Sequence, residues 1–184
     1  RYAFVHGNWA LANSGLGRWC GVDNELKILA ETGCYADFTL PSAPNPAQIA
    51  KINSLYECTL PLAKRAAHRQ GRNLIVGRPP NVFPLMVQGP LMLNFNRGGS
   101  WLRFPKIENS ELAAVNPPTI ERLRLWRKAA ISVEGRSDWL FIKLHCHGMT
   151  PRDQSLMLGA PMQQFLRTLI EGGDNGRNYQ THFL

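Results

Sequence analysis

The sequence lacks the short motifs that announce a common chemistry. No GxGxxG loop, P-loop, GxSxG elbow or HExxH pair occurs in its 184 residues. The usual signals for dinucleotide binding, nucleotide hydrolysis, serine hydrolysis and zinc proteolysis are therefore missing. Its four cysteines, at positions 20, 34, 58 and 146, form no CxxC pair, which leaves a structural zinc site without a framework. A chain of this length that is 44% apolar needs no disulfides either, so buried core thiols are expected. Long hydrophobic runs are missing too. The longest uncharged stretch, residues 79–96, is broken by Pro79, Pro80, Pro84, Pro90 and Gln88, and cannot form one spanning helix. No signal peptide is visible, which favours a location in the cytoplasm or peripheral to the cell envelope. Internal repeats and low-complexity segments do not occur.

What is present is core material. Five Trp and eight Phe accompany the aliphatic residues, and charged residues make up only 18%, a balance that predicts a folded domain. The 16 Gly and 13 Pro follow no short period and imply many turns. The net charge is +8, yet the basic residues are dispersed. Their densest groups, Lys64 to Arg78 and Arg122 to Lys128, come with no nucleic-acid motif, and the second fits the wet face of a helix. No nucleic-acid partner is expected. The oligomeric state is not readable from the sequence.

Short apolar runs alternate with amphipathic segments. Arg1–His6 reads as a strand. Asp23 is placed to cap a helix carrying Leu26, Leu29 and Ala30, stopped at Gly33. Tyr35–Leu40 alternates as a strand, and Asn45 with Pro46 and Gln48 predicts a helix bearing Ile49, Ile52 and Tyr56. Leu74–Gly77, Pro84–Gln88 and Leu91–Phe95 are candidate strands. Gly98-Gly99 reads as a turn before the apolar segment Trp101–Ile107. Pro117-Pro118-Thr119 opens a helix with Ile120, Leu123, Trp126 and Ala130 on one face. Asp138–His147 is the clearest strand signal. Pro161 starts a last helix striped by Met162, Phe165, Leu166, Leu169 and Ile170, and Tyr179–Leu184 reads as a further strand.

Strand–helix–strand units need crossover connections, and these make parallel sheets. With polar residues at several strand ends and no nucleotide loop, the pattern predicts an α/β fold: part of an irregular (β/α) barrel with a mostly parallel sheet. Arg1–His6, Tyr35–Leu40 and Asp138–His147 are expected as neighbouring parallel strands. Residues 1–184 read as a single domain, the C-terminal portion of such a barrel. Both ends resemble interrupted strands, so the chain is expected to be truncated at each end.

His145 and His147 are the sharpest functional pair. At i and i+2 of a strand both imidazoles project to one side, as metal ligands or as an acid–base group beside a substrate contact. Cys146 then faces away. His6 with Trp9 could form a sugar-binding rim, or a hydrogen-bonded core histidine beside a packing indole. Asp37 and Glu108 are carboxylates at strand ends, each equally readable as a turn or ion-pair residue. His6, Trp9, Asp37, Glu108 and His147 are the candidate substrate contacts.

Three stretches carry a resemblance: residues 4–11 (FVHGNWAL), residues 17–26 (GRWCGVDNEL) and residues 31–44 (ETGCYADFTLPSAP). They resemble bacterial polysaccharide deacetylase-like proteins of the glycoside hydrolase/deacetylase (NodB-like) superfamily. Residues 138–148 resemble that fold's late strand ending in Leu-His. The resemblance implies an irregular (β/α) barrel that removes acetyl groups from N-acetylated sugars with a divalent metal, zinc being one candidate. It makes His145 the catalytic general acid and a carbohydrate the substrate. The superfamily's early Asp-Asp motif and HxxxH metal pair are absent here and would precede Arg1 in a longer protein. His6, Glu108 and His147 have no counterpart in the general motifs. A non-catalytic carbohydrate-binding or polysaccharide-biosynthesis protein on the same fold is the competing reading. An amidohydrolase-like metal enzyme is the third, because an HxH strand end is a metal motif there as well.

Overall fold

The computed structural model describes residues 1–95, 105–148, 150–172 and 179–184. The chain divides into two compact units: Arg1–Asn109 with Ala129–Lys143, and Ser110–Lys128 with Leu144–Leu184. Among the described residues no helix is long and apolar enough to cross a membrane.

Unit one is built on a five-stranded mixed sheet. Its strands are β1 (Tyr2–Phe4), β2 (Cys34–Asp37), β3 (Ser54–Cys58), β4 (Gly71–Asn73) and β5 (Leu85–Gln88), in the order β1-β2-β5-β3-β4. β1 and β5 run parallel to β2, whereas β3 is antiparallel to both β5 and β4. The first two expected strands are thus parallel neighbours. Their crossover is helix α1 (Glu25–Glu31), which buries Leu26 and Leu29. Asp23 does not cap it: its carboxylate accepts a 2.6 Å hydrogen bond from Asn13 Nδ2. Past the helix end, Gly33 takes φ +87°, the left-handed conformation that glycine adopts without strain.

The barrel expectation fails, for two physical reasons. The predicted helix after Asn45 does not form, because its polar side chains bond elsewhere. Asn45 Oδ1 accepts from Ala47 N–H, and Gln48 Oε1 accepts from Ser42 and Ala43 N–H. Tyr56, expected on that helix, lies in β3 instead, where the sheet turns antiparallel. Asp138–His147 is not a strand either. Trp139 and Phe141 donate to the carbonyls of Arg136 and Ile131, and only His145 makes an isolated bridge, to Glu111. With that element gone, the sheet stays open and mixed.

Leu11, Ala12, Leu26, Leu29, Cys34, Tyr56, Cys58 and Met86 form the core of this unit. Each fully buried Leu or Met there contributes about 1.5–3 kcal/mol. The thiol expectation holds for Cys34 and Cys58, whereas Cys20 and Cys146 are exposed; none is bonded to another. A second sheet pairs β6 (Met92–Asn94) antiparallel with β7 (Lys106–Glu108). The expected Gly98-Gly99 turn and the start of the Trp101 segment lie outside the described residues. Leu74–Gly77 forms no strand but a tight turn in which Arg78 N–H donates to Ile75 O.

Unit two is helical. Helix α2 (Ile120–Lys128) buries Leu123 and Trp126, and α4 (Ala160–Ile170) buries Met162 and Phe165. Trp126 meets Phe165 edge to face, with ring centroids 6.2 Å apart. Between them lies α3 (Pro151–Met157), which the sequence reading missed. Asp153 in its first turn accepts from Ala114 N–H at 2.8 Å and from the Thr150 hydroxyl at 2.6 Å. Tyr179–Leu184 is not a strand.

Candidate functional site

In unit one the chemistry gathers where β1 and β2 end. Thr39, two residues past Asp37, is the hinge of the arrangement. His6 N–H donates to Thr39 Oγ at 2.8 Å, and Thr39 Oγ–H donates to Asp37 Oδ2 at 2.8 Å. Thr39 N–H also donates to Asp37 Oδ1. Asp37 is fully enclosed. Burial pushes its carboxyl up to about 7, against the opposing pull of the Thr39 hydrogen bonds and of Lys143. Lys143 enters the same region and donates to the carbonyls of Phe38, Leu40 and Val87. Desolvation brings this amine down to about 8, and the charge of Asp37 resists that fall.

His6 is buried. Its Nδ1 accepts from Asn8 N–H at 3.4 Å, while Nε2 lies 3.1 Å from Cys20 O and 3.6 Å from Glu25 Oε1. Those partners favour the tautomer with the proton on Nε2. Glu25 Oε2 in turn accepts from Ala12 N–H at 2.7 Å. Trp9, at φ +64°, donates its N–H to His6 O. Glu108 is buried at the end of β7, in the other sheet. His6, Asp37 and Thr39 therefore meet as a connected network, while Glu108 lies in the other sheet. Lys143 and Glu25 were not singled out in the sequence. Lys143 sits inside an apolar run, which is the one signal it offered.

His145 and His147 belong to unit two. Their rings stand edge to face, with centroids 5.6 Å apart. His147, half-exposed, has Nε2 3.9 Å from Glu111 Oε1. The backbone fixes this juxtaposition. Glu111 and His145 form a parallel bridge, in which Leu112 N–H donates to His145 O at 2.8 Å. Cys146 is exposed, as alternation out of a strand would not have required. Glu111 is the residue that sequence reasoning missed here, since no local spacing links it to the histidines.

A divalent ion needs its donors converging to about 2.0–2.2 Å from one point. Two histidines and a carboxylate are suitable types, but among the described residues no three of His, Cys, Asp or Glu group in that way. The metal implied by the resemblance does not fit these side chains as they stand. What they can do unaided is move protons: a carboxylate stands within ion-pair reach of one imidazole, and a second imidazole stands beside it. No family model, no curated protein and no solved structure matches this chain.

Proposed function

We propose that this protein is a carbohydrate-active hydrolase that removes the acetyl group from an N-acetylated sugar, with Glu111, His145 and His147 handling the protons. The observation that carries the reading is the carboxylate–imidazole pair of Glu111 and His147, with His145 edge-on beside it. The resemblance of residues 4–11, 17–26 and 31–44 to polysaccharide deacetylase-like proteins supports the choice of substrate.

In this mechanism His147 turns its Nε2–H to the Glu111 carboxylate, which lies 3.9 Å away, and Nδ1 takes a proton from the attacking water. The oxygen of that water bonds to the acetamide carbonyl carbon. His145 protonates the sugar nitrogen as the C–N bond breaks, and acetate and a free amine leave. General acid–base groups of this kind supply about 10²–10⁴-fold each. Asp37 and Lys143 take no part, since their polar atoms are committed to the backbone and to Thr39.

The test is release of acetate and free amine from tetra-N-acetylchitotetraose. Wild-type turnover is expected, falling at least about 100-fold in H145A with the circular dichroism spectrum unchanged. No acetate from the wild-type protein overturns the reading. Wild-type turnover in both H145A and H147A removes the two residues from the mechanism.

A further inference from the structure

Arg122 stands in the first turn of α2 and reaches back along the chain that leads into the helix. Its backbone N–H donates to Thr119 Oγ at 3.2 Å, which fixes where the side chain departs. Nη1 donates to Asn116 O at 2.6 Å and to Pro117 O at 2.9 Å, and Nη2 donates to Glu111 O at 2.7 Å. The guanidinium also lies over the indole of Trp126, four residues on, with Cζ 4.9 Å from the ring centroid. Trp126 is buried and packs edge to face with Phe165 of α4, so the surface under the guanidinium is itself held.

The three carbonyls belong to one short loop, closed by a turn in which Asn116 N–H donates to Ala113 O at 2.8 Å. Glu111 stands at its start, and the peptide that follows Glu111 is tied at both ends. Its carbonyl goes to Arg122, and its amide, Leu112 N–H, goes to His145 O at 2.8 Å. Arg122 and His145 thus grip the same peptide bond. A glutamate side chain is flexible. The 3.9 Å separation between its Oε1 and His147 Nε2 persists only while the backbone it springs from stays in place. A planar guanidinium suits that task, because it presents donors from two nitrogens in a fixed fork while lying on an aromatic face. A lysine ammonium does not combine the two.

We propose that Arg122 is a positioning residue of the proton-handling site: by holding the Glu111 backbone to α2, it keeps the Glu111 carboxylate facing His147. Its influence on the reaction passes through Glu111. This deepens the function proposed above and rests on it for turnover. The coupling between Glu111 and His147, however, is measurable with no substrate present.

The experiment is a double-mutant cycle on the full chain between Arg122→Met and Glu111→Gln, followed in two ways. Methionine keeps an unbranched apolar stem over Trp126 and removes the donors. The first measurement is of the His147 ring resonances in NMR spectra at one fixed pH. Glu111→Gln is expected to move them in the wild-type background and to leave them nearly unmoved in the Arg122→Met background. The second is turnover of tetra-N-acetylchitotetraose. Arg122→Met should lower kcat about tenfold with KM unchanged, and the double variant should lose no more than Glu111→Gln alone. Should Arg122→Met not fold, Arg122→Lys replaces it in the cycle, with the same outcome expected because the fork is lost. Equal movement of the His147 resonances in both backgrounds overturns the proposal, and so do losses of kcat that multiply in the double variant. Resonances that move in neither background overturn it too, since there is then no pair to position. The two readings fail separately. Without acetate release the hydrolase falls and the resonances alone decide on Arg122, whereas acetate release with equal coupling in both backgrounds sinks the positioning role alone.

Discussion

Lys143 and Asp37 influence each other's charge without sharing a hydrogen bond. The amine donates to three backbone carbonyls, and the carboxylate accepts from Thr39. Each therefore serves as background charge for the other, while its bonds hold the chain. That division makes the pair a structural latch at the ends of β1 and β2, and its effects are measurable.

The first effect is on stability against pH. The folded carboxyl of Asp37 titrates at about 7, well above its ordinary value of 3.8. A raised carboxyl contributes stability that is complete below its unfolded value and is lost as pH rises through the folded one. The urea midpoint of the wild type should thus fall between pH 5 and pH 8 by more than that of D37N. Parallel curves for the two proteins would show that Asp37 ionises freely in the fold.

Removing the amine should cost more than removing its charge suggests. Lys143→Met leaves the Phe38, Leu40 and Val87 carbonyls without this donor and the buried Asp37 without its positive neighbour. A loss of about 3 kcal/mol is expected in chemical denaturation. A loss below about 1 kcal/mol would mean that those carbonyls find other donors.

Thr39 joins two strand ends through one hydroxyl. Thr39→Val keeps the shape but strands the His6 N–H and one Asp37 oxygen, for a cost of about 1–3 kcal/mol. Thr39→Ser should recover most of it, because it restores the oxygen. Thermal melts of the two variants that coincide would place the stabilisation in the methyl group instead.

In unit two the carboxylate is the sensitive element. Glu111→Gln keeps the size and removes the charge facing His147, so turnover of tetra-N-acetylchitotetraose should drop about 10–100-fold with KM little changed. A rise in KM at constant kcat would instead make Glu111 a substrate contact.

Much of the local structure was legible, and the long-range pairing was not. Helices α1, α2 and α4 carry their signal in neighbouring residues: apolar spacing, a stopping glycine, a proline at the start. The β1–β2 pair followed from the helix between them. The region after Asn45 misled because capping residues bond equally well to loop amides, and only pairing with β5 reveals Tyr56 as part of a strand. Residues 138–147 misled for a related reason. Their alternation suits a strand, but the Lys143 amine is drawn to carbonyls far away in the chain. At the site, the two histidines declared themselves through spacing. Glu111 reaches them by a backbone bridge 34 residues distant, which no local pattern records.

The latch also sets an order of events during synthesis. Phe38 precedes Lys143 by 105 residues, so a ribosome working at about 5–20 residues per second exposes the carbonyls roughly 5–20 seconds before their donor emerges. Through that interval the nascent sheet can pair β1 with β2 but cannot close its end. Residues 110–128, which belong to the other unit, must leave the tunnel first. A nascent chain arrested before Lys143 should therefore remain open to protease at Phe38–Leu40, and one arrested well beyond it should be closed there.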